Sequence, residues 1–210
     1  MFCCIFVFNF VIATDFQHLA DLANQRYGHL AKQRVTELES LFISLRSASE
    51  LEQLQRINAF FNYHIDFVSD QDNWNTSDYW ATPLESLGKS QGDCEDYSIA
   101  KYTFLRALGI PDERLKLTYV RAQIGGAHSK VFQAHMVLSY YESPTAEPLI
   151  LDNLISEIHK SSRRTDLRPV FSFNSAGLWV GNATNQKGAS LKSLSRWGDV
   201  LTRIKNDGIE

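Results

Sequence analysis

GDCEDYSIAKYTFLRALGIP, Gly92 to Pro111, decides how the chain is read. Its apolar residues Tyr97, Ala100, Phe104, Leu105 and Leu108 recur at helical spacing, and Gly109 with Pro111 just beyond supplies a stop. The spacing predicts a core helix over 93–108. Beyond it the apolar period shortens to two in LKLTYVRAQ (115–123), KVFQAHMVLSYY (130–141) and PLILDNL (148–154), with turns at Gly125-Gly126 and Ser143-Pro144. VFSFN (170–174) and GLWVG (177–181) read as a further hairpin, and Leu191, Leu194, Trp197, Val200, Leu201 and Ile204 as a closing amphipathic helix.

Upstream, Phe16, Leu19, Leu22, Ala23, Val35, Leu38, Leu41, Phe42 and Leu45 predict helix from Asp15 to about Arg46, interrupted near Gly28. Ser49 is an N-cap candidate for a second helix carrying Leu51, Leu54, Ile57, Phe60 and Phe61. The run SDQDNWNTSDYWATPLESLGKSQ (69–91) has loop chemistry, with Trp74, Tyr79 and Trp80 expected to pack back onto the body. The order of helices, loop, central helix and antiparallel sheet is α+β. It divides into a leader (1–14), an N-terminal helical part (15–65) and a core (66–210).

The 210 residues suffice for one domain with a real core, and a net charge of -3 argues against nucleic acid as a partner. The densest basic patch, Arg163-Arg164, is too small to count. MFCCIFVFNFVIAT is too short to span a bilayer and resembles the apolar part of a secretory signal without its basic start. The expectation is an exported protein whose signal has lost its first residues. Processing would remove Cys3 and Cys4 and leave Cys94 without an intrachain partner.

Cys94 lies in the first helical turn, where unpaired N–H groups and the helix dipole favour a thiolate and can hold an oxyanion. Asp93, Glu95 and Asp96 crowd it, and like charges oppose ionisation. A base could come from His135, on the same strand face as Val137, and an orienting group from Asp152 at the end of the next strand. His128 competes for the base but follows a glycine turn. Taken singly, Cys94 reads equally as a buried apolar thiol, His135 as a core histidine, and Asp152 as a strand-end residue.

GDCEDYSIAKY, preceded by DYWATPLE and followed by AHMVL and LILDNL, resembles the bacterial transglutaminase-like cysteine proteinases from about Asp66 to Trp179. The resemblance implies a papain-like or transglutaminase-like fold, with a nucleophile helix packed on an antiparallel sheet. It implies Cys94 as nucleophile, His135 as general base and acid, and Asp152 as the group orienting that histidine. It also implies a periplasmic endopeptidase that cuts the N-terminal region of a large surface adhesin. An inner-membrane receptor for cyclic di-GMP would hold it in check.

Calcium (Ca2+) binding is a further implication. Asp93, Glu95 and Asp96 are the expected ligands, ahead of Asp72, Asn73 and Asp78, because bound calcium would reverse the sign of the charge around the thiol. The ordinary reading of those acids is a solvated helix cap. Two other functions share these residues: a transglutaminase passing the acyl group to an amine, and a non-catalytic, calcium-stabilised binding module.

Overall fold

The computed structural model describes residues 14–180 and 195–209. The expected leader therefore lies outside the described residues, apart from Thr14. Three helices open the chain, α1 (Phe16–Tyr27), α2 (His29–Leu45) and α3 (Glu50–His64). Asp15 caps α1 through the His18 N–H, and Ser49 caps α3 through the Glu52 N–H. The turn between α1 and α2 rests on Gly28, whose φ of 86° is left-handed territory that favours glycine.

The stretch expected to be loop contains two short helices, α4 (Asp70–Trp74) and α5 (Pro83–Lys89), a correction with a local cause. Ser69 caps α4, while Thr82 and Glu85 form a capping box around Pro83 at the head of α5. The short parallel pair β1 (Asp66–Phe67) and β2 (Gln91–Gly92) then ties the end of α3 to the start of the central helix. The aromatic residues pack as expected: Trp80 is buried and stacks on Phe173, and Trp74 lies against Tyr79 with the Lys89 ammonium over its ring.

Helix α6 (Cys94–Ala107) is the axle. Ser98 through Leu105 are all buried, so it is enclosed by protein on every side. It packs on a sheet of six antiparallel strands in the order β6-β5-β4-β3-β7-β8. These are β3 (Leu115–Ile124), β4 (Val131–Tyr140), β5 (Leu149–Leu151), β6 (His159–Lys160), β7 (Leu167–Phe173) and β8 (Leu178–Val180). The closing helix α7 (Ser195–Asn206) buries Trp197, Val200 and Ile204.

Strand alternation sends Leu115, Leu117, Met136, Leu138, Leu151 and Phe173 into the main core with α1–α3, α5, α6 and α7. Val120, Ala122, Val137 and Ile150 make a small cluster on the other face. One continuous core thus joins the helical residues 15–65 to the rest of the chain. Among the described residues no helix is long and apolar enough to cross a membrane.

Candidate active site and acidic cluster

The site forms where β5 ends early. β5 pairs with β4 only along Leu138–Tyr140, which leaves the edge of β4 at His135–Val137 open. The head of α6 fills that gap: the Ser98 hydroxyl donates to the Met136 carbonyl at 3.2 Å, and the Met136 N–H favours charge on the Cys94 sulfur. Cys94 is thereby set beside the residue adjoining His135.

The head of α6 is capped by its own acids. The Asp93 carboxylate accepts the Glu95 N–H at 3.2 Å and also the Asp96 N–H, while Asp96 Oδ2 accepts the Asp93 N–H at 3.2 Å. Asp96 is wholly buried, and its Oδ1 accepts the Ala81 N–H at 2.7 Å. A methyl group on Gly92 would lie 2.8 Å from Asp96 Cβ, so the carboxylate fits because that residue is glycine. Burial, then the charges of Glu95 and Asp96, push the Asp93 carboxyl up to about 9; burial and Asp70 push Asp96 up to about 8.

Asp70, from the head of α4, completes this cluster. Ligand atoms of Asp70, Asp93 and Asp96 lie within 4.8 Å of one another. Asp70 is buried; its Oδ2 accepts the Tyr79 N–H at 2.6 Å, but its Oδ1 has no partner. A buried, unpartnered carboxylate oxygen facing two carboxyls that resist ionisation fits a hard divalent cation. Asp93 also belongs to a second group, with Cys94 and Glu95, so two adjoining clusters share Asp93 and together contain the three expected acids and Asp70. Of the weaker alternatives, Asp72 bonds Ser69, Asn73 holds Lys89, and Asp78 pairs with Arg196.

Glu95 turns the other way. Its Oε1 accepts the Tyr119 hydroxyl at 2.8 Å, and its Oε2 accepts the Cys94 thiol at 2.8 Å. Burial and the charges of Glu95 and Asp93 raise the thiol far above its ordinary range, so the sulfur here is a protonated donor.

His135 and Asp152 meet as alternation implied. His135 Nε2 lies 2.8 Å from Asp152 Oδ1, and both side chains are buried. The imidazole thereby keeps Nδ1 for another partner. The Leu154 N–H donates to the same oxygen at 3.0 Å, and Arg164 donates to Oδ2 at 2.7 Å. Burial alone would raise this carboxyl; His135, the Leu154 N–H and Arg164 outweigh it and hold it down to about 2. Lys101, wholly buried on α6, is pushed down to about 7 by desolvation, which the charge of Asp152 opposes. His128 is exposed in the β3–β4 turn, away from any acid partner among the described residues.

The sequence assigned no site role to Asp70, Arg164 or Lys101: Asp70 and Asp72 resembled a calcium loop only faintly, without its glycine and closing glutamate, and the Arg163-Arg164 pair read as a basic patch too small to count.

Residues 32–180 match the family described as bacterial transglutaminase-like cysteine proteinase. The fold is similar to Legionella pneumophila LapG in three solved forms. The EGTA-treated form shares 38% identity at TM-score 0.78, over 91% of this chain and 98% of that one. A second form of LapG gives 38% and 0.75 over the same shares of the two chains. The calcium-bound form gives 39% and 0.75 over 90% and 98%. Among curated proteins nothing matches the chain.

Proposed function

The chain belongs to the bacterial transglutaminase-like cysteine proteinases, and we propose that it is a calcium-dependent cysteine endopeptidase acting through Cys94, His135 and Asp152. The observation that carries this reading is the buried His135–Asp152 pair at 2.8 Å, set one residue along β4 from the amide that faces the Cys94 sulfur. The likeness to LapG, solved in calcium-bound and EGTA-treated forms, supports calcium, with Asp70, Asp93, Glu95 and Asp96 as the residues that would hold it. When bound, calcium supplies positive charge that lowers the electrostatic penalty on a nearby thiolate.

The chain's own groups then account for the chemistry. Cys94 Sγ turns from Glu95 toward His135 Nδ1, which takes its proton while Asp152 holds the opposite ring nitrogen. The thiolate attacks the peptide carbonyl. The N–H of Cys94, at the first position of α6 and outside the helical ladder, is placed to donate to the resulting oxyanion. His135 returns the proton to the departing amine, and water, deprotonated by the same imidazole, releases the acyl group from sulfur. Wild-type charge at Asp152 keeps the imidazolium stable through both proton transfers.

The proposed substrate is the N-terminal region of a large surface adhesin, cut in the periplasm to free the adhesin and disperse a biofilm. The proposed restraint is an inner-membrane cyclic di-GMP receptor of the LapD type. The test is incubation with the N-terminal segment of a large adhesin from the same genome. Cleavage in calcium, none in chelator and none by Cys94→Ser is expected. A Cys94→Ser variant that still cuts would overturn the catalytic account, and cleavage that persists in chelator would remove calcium from it.

A further inference from the structure

We propose that Arg164 is a positioning residue of the reaction, fixing the Asp152 carboxylate that in turn fixes the His135 ring. The inference rests on the catalytic reading above. Asp152 divides its two oxygens between different tasks: Oδ1 serves His135 and the Leu154 N–H, and Oδ2 receives Arg164 Nη2 at 2.7 Å. With Oδ2 free, the carboxylate could rotate about its terminal bond and carry the imidazole off line. With Oδ2 held, the plane of the carboxylate is set.

Arg164 is itself gripped from behind. Asp166 takes its Nε at 3.0 Å and its Nη2 at 2.8 Å, a forked contact that only a planar guanidinium can make while still reaching a second acid. The segment after β5 therefore supplies Asp152, Leu154, Arg164 and Asp166, a relay built from one short stretch of chain that folds back on itself.

Tethering this segment does not explain the arrangement. The Arg164 side chain is 2% exposed and that of Asp152 0%, and burying such a pair gains little stability over apolar side chains. Arg164 Nη1 is moreover buried without a partner, a desolvation that an apolar residue would avoid. What the guanidinium contributes is geometry and charge at one oxygen of Asp152.

Asp152 is faced by His135 from β4, by Lys101 from α6, and by Arg164 from the segment after β6, with Asp166 behind the guanidinium.

The experiment compares Arg164→Gln and Arg164→Lys with the wild type in saturating calcium, measuring kcat and KM on a peptide substrate from pH 5 to 9, with circular dichroism to verify folding. Arg164→Gln is expected to lower kcat by about 10–100-fold, the usual size of an outer-sphere loss, with KM nearly unchanged. Arg164→Lys should restore only part of kcat, because it keeps the charge and loses the fork. A folded Arg164→Gln with wild-type kcat, or with a change in KM alone, overturns the proposal. Should Arg164→Gln fail to fold, Asp166→Asn loosens the same guanidinium from its solvent side; several-fold lower kcat at unchanged KM supports the proposal, and wild-type kcat overturns it. Asp152→Asn in the same assay separates the two levels: an inactive Asp152→Asn beside a fully active Arg164→Gln sinks the positioning role alone. A fully active Asp152→Asn sinks the catalytic reading with it.

Discussion

Removing divalent cations should make the stability of this protein fall as pH rises through neutrality, opposite to the usual acid denaturation of a protein with paired carboxylates. Asp93 and Asp96 bind protons up to about 9 and about 8 in the folded chain, against 3.8 in an exposed chain. A carboxyl with a raised folded pKa contributes stability in full below its unfolded value and loses it as pH climbs through its folded value. For each acid the slope is about 1.4 kcal/mol per pH unit. From pH 5 to 7 this amounts to about 3 kcal/mol per acid, or about 6–11 °C in Tm for a domain of this size. Lys101, lowered to about 7, works in the opposite direction above that pH, and His64, lowered by burial, does so below it, so the acids must outweigh one histidine in this window. The assay is a series of thermal melts in chelator and in excess calcium. Calcium should abolish the slope, raise Tm most at the highest pH, and release protons on binding, seen as a buffer-dependent enthalpy. A flat Tm in chelator, or a slope that survives saturating calcium, would refute the reasoning.

Two further outcomes follow from the same geometry. Gly92→Ala places a methyl 2.8 Å from Asp96 Cβ and 2.9 Å from its Oδ2, so Asp96 must move; a loss of about 1–3 kcal/mol and a raised calcium requirement are expected, checked by melts and by activity against calcium concentration. Alkylation of Cys94 by iodoacetamide, followed by mass spectrometry, should be slow in chelator and at least about tenfold faster in calcium, since burial, Glu95 and Asp93 hold the thiol protonated until positive charge arrives. Equal rates in the two conditions would count against electrostatic control of the sulfur.

The parts of the fold that could be read from sequence are those whose causes are local. Helix α6 carries its own cap, period and stop, and β3, β4 and β5 alternate strictly enough that His135 and Val137 could be put on one face before any coordinates. Helices α4 and α5 were obscured by a run rich in Asp, Asn, Ser and Trp, although Thr82-Pro83-Leu84-Glu85 is a capping box in plain sequence. Asp70 carries no local signal of its role, because only the packing of α4 on the head of α6 brings it to Asp93. Arg164 read as half of a basic pair too small to count. Its burial depends on Asp152 and Asp166, and no window of sequence shows that it reaches the first of them.

The placement of the proposed nucleophile among carboxylates follows from what each neighbour holds. Glu95 is bonded to the thiol and to Tyr119, and Asp93 and Asp96 are committed to capping the helix on which the thiol sits. Replacing these acids by neutral groups would ease ionisation of Cys94, yet it would also strip the cap from α6 and leave burial still opposing the thiolate. Two positive contributions near the sulfur, the N-terminus of α6 and the Met136 amide, do not overcome the acids, for the thiol stays protonated. The shortfall comes from burial and charge, and on the proposed function a divalent cation at the acidic cluster would supply the missing positive charge. On the proposed function the acidic cluster works as an electrostatic threshold: the protonation state of the sulfur is set by occupancy of the neighbouring acidic site.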